Sequence, residues 1–330
     1  MPSLPFVRCL AFVAMAGAAI AMPALALAQE PGYPRKPITL VVPFAAGGGT
    51  DTVARLIALK LYAALGQSVV VDNRPGANGT IASRSVLQQP ADGYTLMFGS
   101  NSTHVIAPLA AKQAPDAMKA TQANFAIVSI VANAPLVLAV RSSASERDLP
   151  AFLARAKSSS LSYGTFGAGS SAHVMGEVLS EAAKVELLHV PYKGSAPAMN
   201  DLLGGQVDSV LLTVAAMEGM VSAGTVRPLA VTGRMRVQSL PNVPTFEELG
   251  VRDMNNAGWF AVFAAAKTPD AVVTKVAGAL REIVSQPEVK AKLVELGLEP
   301  VGSTSQDARE TWRKSVALAE PVVKRAKIEF

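Results

Sequence analysis

Three consecutive glycines followed by a threonine and an aspartate, Gly47-Gly48-Gly49-Thr50-Asp51, close an apolar run rich in β-branched residues that begins at Pro37. This order predicts a buried strand, a glycine loop and a helix N-terminus, whose first-turn N–H groups lack partners inside the helix and suit an anion. Glycine lets the backbone approach a ligand closely, and the Thr50 hydroxyl adds a donor. Phe44 and Ala46 belong to the same loop. The stretch lacks the Lys-Ser/Thr pair of a phosphate-gripping P-loop. A carboxylate pointed at an anion would repel it, so Asp51 is expected to cap the helix or orient the loop. Alone, the stretch is equally compatible with an ordinary strand-to-helix turn.

A second glycine loop occupies residues 162–173, SYGTFGAGSSAH. From Gly167 to Ala172 it fits the G-x-G-x-x-A dinucleotide pattern, with Glu186 downstream at a distance suited to a ribose hydroxyl. An apparent export signal and the wealth of hydroxyls argue against a pyrophosphate. The alternative is that Thr165, Ser170 and Ser171, with the amides of the next helix start, bind one end of a small polar ligand, and that His173 serves as a neutral hydrogen-bonding group. An exported hydrolase using Ser170 or Ser171 with His173 is a further reading, although no G-x-S-x-G elbow is present. His104 and His189 lie far from His173 in sequence, and no pair of histidines has metal-ligand spacing. Asp201 and Asp208, separated by two glycines, read as turn and strand-entry residues. No metal, no cofactor and no catalytic residue is expected; the chemistry is recognition.

These loops require strands and helices in alternation. Residues 38–42, 68–71 and 94–98 read as strands, separated by helices over 52–65 and 80–88. Residues 101–125 lack clear periodicity, and strands resume at 127–131 and 136–140. A second alternating unit spans 149–231, with a helix expected over 215–223, and residues 269–330 are mostly helical. This is the pattern of an α/β protein with mostly parallel sheets, and the helical tail is expected to pack on the first unit. The 330 residues suffice for two units, and half of them are apolar. A formal charge of +5, with Lys and Arg scattered, argues against nucleic acid.

The N-terminus has the layout of a cleaved secretory signal: Arg8, an apolar run over 10–20, Pro23 and the site Ala26-Leu27-Ala28, with the cut before Gln29. Its apolar run falls short of the roughly 20 residues that a membrane span needs. The single cysteine, Cys9, lies inside this leader, so the mature chain is expected to contain no thiol. A protein exported to an extracytoplasmic compartment is expected.

Several blocks resemble one family: YPRKPITLVVPFAAGGGTDTVAR, VVVDNRPGANGTIAS, PADGYTLMFGSNSTH, SYGTFGAGSSAHVMGEVL, HVPYKGSAPAMNDLLGGQVD and LPNVPTFEELG, in order over essentially the whole mature chain. The sequence resembles the Bug-type extracytoplasmic solute receptors, the TctC-like substrate-binding proteins of tripartite tricarboxylate transporters. The resemblance implies a two-lobed periplasmic-binding-protein (type II) fold, monomeric, which closes on a small mono- or dicarboxylate and hands it to membrane permease subunits or a signalling partner. It implies a signal peptide at 1–28, lobe 1 from 29–133 and 254–330, and lobe 2 from 134–253. In such receptors the loop matching Phe44 through Asp51 holds a carboxylate through backbone groups and bridging waters, and the loop matching Thr165 through His173 completes the grip. Asn78, Gly79, Asn101 and Thr103 match loops at the same mouth.

Two departures stand out. Relatives often carry an aspartate where this chain reads residues 209–214, around Thr213, which lowers the expectation of an amino-acid ligand. Residues 112–124 lack the Tyr-Asp-Pro and Lys-Asp-Phe pattern expected there.

Overall fold

The apolar run is strand β1 (Ile38–Val42), buried at every position but Thr39. Helix α1 (Gly49–Leu65) follows, with Val53, Ala54, Ile57, Ala58 and Leu61 forming the buried stripe of one helix face. It stops where Gly66 adopts a left-handed φ of 71° and donates its N–H to the Tyr62 carbonyl. The computed structural model describes residues 32–111, 121–254, 258–326 and 328. The expected leader with its cut before Gln29, and most of the 112–124 departure, lie outside the described residues.

Strand β2 (Val69–Asn73), helix α2 (Thr80–Leu87) and strand β3 (Thr95–Ser100) come next, and β1 pairs in parallel with both strands. Residues 102–106 make a π-helical turn that runs into helix α3 (Ala107–Ala110), which explains the missing periodicity there. Strand β4 (Phe125–Ala134) is twice the expected length.

At Pro135 the chain passes to a second sheet. It comprises β5 (Leu136–Arg141), helix α4 (Leu149–Ala156), β6 (Leu161–Thr165), helix α5 (Ser171–Ala183), β7 (Leu187–Pro191), helix α6 (Ser195–Gly204), β8 (Ser209–Thr213), helix α7 (Glu218–Ser222) and β9 (Val226–Val231). The spatial order is β7-β6-β8-β5-β9. The helix expected over 215–223 is split: a 3-10 turn (Val214–Ala216) precedes α7, because Met217 leaves helical geometry at φ −131°.

Strand β10 (Gly258–Ala265), helices α8 (Asp270–Ser285) and α9 (Pro287–Glu295), strand β11 (Glu299–Pro300) and helix α10 (Ser305–Arg325) return to the first sheet. Its order is β11-β4-β10-β3-β1-β2. Neither sheet is mostly parallel. β10 runs antiparallel to both neighbours, and β5 runs antiparallel to β8 and β9. A strand returning from the opposite lobe enters the sheet from the hinge side, so its direction is reversed. It is buried on both faces, as its unbroken apolar sequence requires. The helical tail packs on the first lobe, tied by Ile130 N–H to Ser303 Oγ at 2.9 Å and by Ser305 Oγ to the Val128 carbonyl at 2.7 Å.

The fold is thus α/β with two lobes, each built on its own sheet. At the passage between them, Leu136 N–H donates to Thr232 Oγ1 at 2.9 Å and Thr232 N–H to the Leu136 carbonyl at 2.8 Å. Among the described residues no helix is long and apolar enough to cross a membrane, and no three His, Cys, Asp or Glu side chains are placed to hold a metal ion.

Candidate ligand-binding site

The C-terminal ends of the parallel strands deliver their loops to one cleft, the general location of ligands in open α/β sheets. From β1 comes the first jaw. Gly48 caps α1 with no side-chain hydrogen bond, which leaves first-turn amides available. The Asp51 carboxylate is turned away from them. It accepts from Gly47 N–H at 2.9 Å, Arg55 Nε at 2.9 Å and Asn73 Nδ2 at 3.0 Å, and Asn73 Nδ2 also reaches the Phe44 carbonyl at 3.0 Å. Burial alone would raise the Asp51 pKa, but the hydrogen bonds from Arg55, Gly47 and Asn73 outweigh it and hold the carboxyl below its usual range. Asp51 orients the loop.

From β6 comes the second jaw. Ser170 Oγ caps α5 by accepting from His173 N–H at 3.2 Å, and Gly169 N–H donates to His173 Nδ1 at 3.1 Å. That bond fixes the tautomer: Nδ1 carries no proton, and Nε2–H faces Glu177 Oε1 at 3.8 Å. The His173 ring stacks on His189 at 3.7 Å, and His189 Nε2 lies 2.7 Å from Thr165 Oγ1. Burial lowers His173 to about 4; burial, and then repulsion from His173, lowers His189 to about 3. Ser170 and His173 therefore do not form a nucleophile–base pair. The serine hydroxyl is a cap, and the imidazole supports the loop.

The jaws meet. Asn78 Nδ2 donates to the Gly169 carbonyl at 2.6 Å, Ser171 N–H donates to Ser102 Oγ at 3.1 Å, and Ala45 N–H donates to the Lys193 carbonyl at 3.1 Å. Gly194, at φ 138°, allows that last approach, because a Cβ there would stand 3.0 Å from Ala45 N. Phe44 and Phe166 pack edge to face across the cleft with centroids 5.6 Å apart.

Behind these rings lies an inner chamber with room for little more than the centre of one water molecule, about 10 Å³. Its polar lining comes from Thr50, Ser100, Asn101, Ser102, Ser171, Ser195 and Thr213, and no charged side chain lines it. Thr50, Ser171 and Ser195 stand in the first turns of α1, α5 and α6, so three helix N-termini converge there with their positive dipole ends. Thr213 Oγ1 is buried without a hydrogen-bond partner, and a Cβ on Gly49 would come within 2.5 Å of it. In front of the phenylalanines is an outer chamber of about 180 Å³, lined by Pro43, Asn78, Pro191, Tyr192 and Lys193.

Of the residues expected from the sequence, Phe44, Thr50, Asn101, Ser171 and Thr213 line the inner chamber, and Phe44 and Asn78 the outer one. Gly48 abuts Ser195 across the cleft. Asp51, Thr165, Ser170 and His173 form the supports just described. Thr103 is also a support: its hydroxyl bonds Ser100 N–H at 3.0 Å and lies 2.8 Å from His104 Nδ1. Gly79 packs against Thr103, while Ala46 and Gly47 lie exposed on the turn and line neither chamber. His104 stacks on Phe263 at 3.6 Å in the first-lobe core. Ser195, Phe166, Trp259 and Phe260 line the site without having been singled out. For Ser195 a signal existed: Lys193-Gly194-Ser195 repeats the strand, glycine, hydroxyl, helix order of the first jaw.

The model of the tripartite tricarboxylate transporter family receptor matches residues 53–328. The chain belongs to this receptor family. A Pseudomonas sp. (strain P51) relative, the UPF0065 protein in the tcbD-tcbE intergenic region, is 35% identical over 314 residues, 92% of each chain. Among solved structures, R. palustris Rpa4515 with adipate is similar at a TM-score of 0.85 and 35% identity, covering 90% of this chain and 99% of that one. MatC (Rpa3494) from Rhodopseudomonas palustris with bound malate gives 0.80 and 29%, covering 88% and 100%. The family and the fold are those of solute-binding receptors.

Proposed function

We propose that this receptor captures a small mono- or dicarboxylate in the periplasm and presents it to the membrane permease subunits of a tripartite tricarboxylate-type transporter or to a signalling partner. The observation that carries the reading is the inner chamber, where three helix N-termini and a ring of hydroxyls converge and no charged side chain enters. Such a site satisfies a carboxylate with neutral donors, and each hydrogen bond to a charged oxygen is worth roughly 1.5–3 kcal/mol. The unpartnered Thr213 hydroxyl supplies one such donor where an acidic side chain would instead favour an ammonium group. The adipate and malate held by the two structural relatives support the same class.

In this reading residues 33–134 with 258–326 form one lobe and residues 136–254 the other, closing about the Pro135 passage. The expected leader supports periplasmic export with a mature N-terminus at Gln29. Calorimetry of the mature protein against a panel of carboxylates, sugars and nucleotides tests the proposal: micromolar binding of an acid is expected, and binding of a sugar or nucleotide with no acid bound would overturn it.

A further inference from the structure

We infer that the turn after β8 is a plug from the second lobe that seats against two glycines of the first, and that Gly49 is a positioning residue, whose missing side chain lets closure bring the Thr213 hydroxyl to the start of α1. This rests on the reading of the inner chamber as the capture site. The turn, Val214–Ala216, is small and apolar, and Val214 and Ala215 are buried. Ala215 joins the first-lobe core cluster that contains Leu40 and Val42 of β1 and Val53, Ala54 and Ile57 of α1. Gly49, the first residue of α1, abuts the turn: a Cβ there would come within 2.5 Å of Thr213 Oγ1, 3.0 Å of Ala216 N and 3.2 Å of the Ala215 carbonyl carbon. Gly297 abuts it as well, and a Cβ there would lie 2.6 Å from Val214 Cβ. Non-bonded carbon atoms meet best at about 3.5–4.0 Å, so neither position has room for a side chain while the lobes are shut.

The plug is tied to the passage between the lobes, because Val214 N–H donates to the Pro135 carbonyl at 3.3 Å. Thr213 is the last residue of β8, so it moves with the second lobe yet delivers its hydroxyl against the first. That hydroxyl is buried without a hydrogen-bond partner, and Thr213 lines the inner chamber together with Thr50 of α1. Gly49 is not required by its own backbone. It begins a helix without a positive φ, a setting in which alanine is favoured over glycine. What the missing Cβ provides is clearance for the other lobe. A donor that travels with the second lobe reaches the α1 start only in the shut receptor, which links capture of the anion to closure.

The test is calorimetry with whichever of adipate, malate and the other panel acids binds wild type tightest, applied to Gly49→Ala in three backgrounds: wild type, Thr213→Ala and Thr213→Val. Gly49→Ala keeps the backbone N–H and adds one methyl. The melting temperature without ligand is therefore expected to hold or rise, while affinity falls by about fivefold to a hundredfold, the range of an overpacked contact. In Thr213→Ala, which removes the colliding atom, the same substitution is expected to cost at least about threefold less. In Thr213→Val, whose methyl takes the place of Oγ1, it is expected to cost as much as in wild type. Equal losses in all three backgrounds, no loss in wild type, or a melting temperature that falls along with the affinity would overturn the plug while leaving the inner chamber as the carboxylate site. Failure of every panel acid to bind wild type would instead overturn the capture reading on which the plug rests.

Discussion

The two jaws present similar loops to the cleft but are held by opposite means. The first rests on an ionised carboxylate, Asp51, which ties Gly47, Arg55 and Asn73 together. The second rests on two stacked neutral imidazoles, with His173 accepting from Gly169 and His189 bonded to Thr165. A charge that orients a loop from below leaves the inner chamber itself free of charge, and an uncharged buried imidazole does the same. The two supports should therefore fail under different conditions.

The largest effect is expected from Asp51→Ala, which leaves a backbone amide, a guanidinium and an amide side chain without their shared acceptor. Arg55 is half exposed and can turn to water, so the loss is that of the buried amide bonds and one charge-assisted bond, about 2–3 kcal/mol, read as a drop in melting temperature and a loss of ligand affinity; unchanged binding would show that the first jaw holds its shape alone. On the second jaw, His173→Ala removes one neutral acceptor and should cost roughly 1–3 kcal/mol. His173→Asn should recover most of that, since its Oδ1 falls near the position of Nδ1, whereas His173→Gln should not. If Gln rescues and Asn does not, the bond to Gly169 is not the relevant contact.

Acid separates the jaws without mutation. His173 and His189 stay neutral in the fold at pH values where the unfolded chain, with ordinary pKa near 6.5, takes up protons. Stability and jaw order should therefore decline as the pH falls from about 6.5 to about 4, the folded value of His173. Asp51, depressed by its partners, contributes fully above the usual carboxylate range and is lost only below it. At pH 5 the second jaw should loosen while the first holds, which amide exchange of the two loops can check; simultaneous loosening would contradict the distinction. Smaller effects are expected between the jaws. Asn78→Ala removes a cross-lobe hydrogen bond and should weaken binding about fivefold. Thr213→Val, which keeps shape and deletes one donor, should cost about as much or less for an acid and nothing for a neutral analogue.

Both glycine loops were legible in the sequence because strand, glycine and helix start are local signals; for Asp51 the sequence left a helix cap and an orienting group open, and its bonds from Gly47, Arg55 and Asn73 are those of the second. What escaped was decided at long range. Phe166 matters because Phe44 faces it from the other lobe, and Trp259 and Phe260 reach the site because β10 inserts between β3 and β4 from far along the chain. The expectation of mostly parallel sheets failed for the same reason, since periodicity reveals a strand but not the direction from which it enters. The role of His173 was misplaced by one bond: its position beside the serines was visible, but the Gly169 amide that occupies its free nitrogen was not.

The bonds from Asn78 to Gly169, Ser171 to Ser102 and Ala45 to Lys193 run from protein to protein. Part of the free energy of closure therefore belongs to the receptor and not to its guest. If each is worth about 1 kcal/mol, together they raise the ratio of shut to open molecules by roughly two orders of magnitude. Any partner that reads the shut shape then hears a background, set in part by these bonds, against which the arrival of cargo must be distinguished.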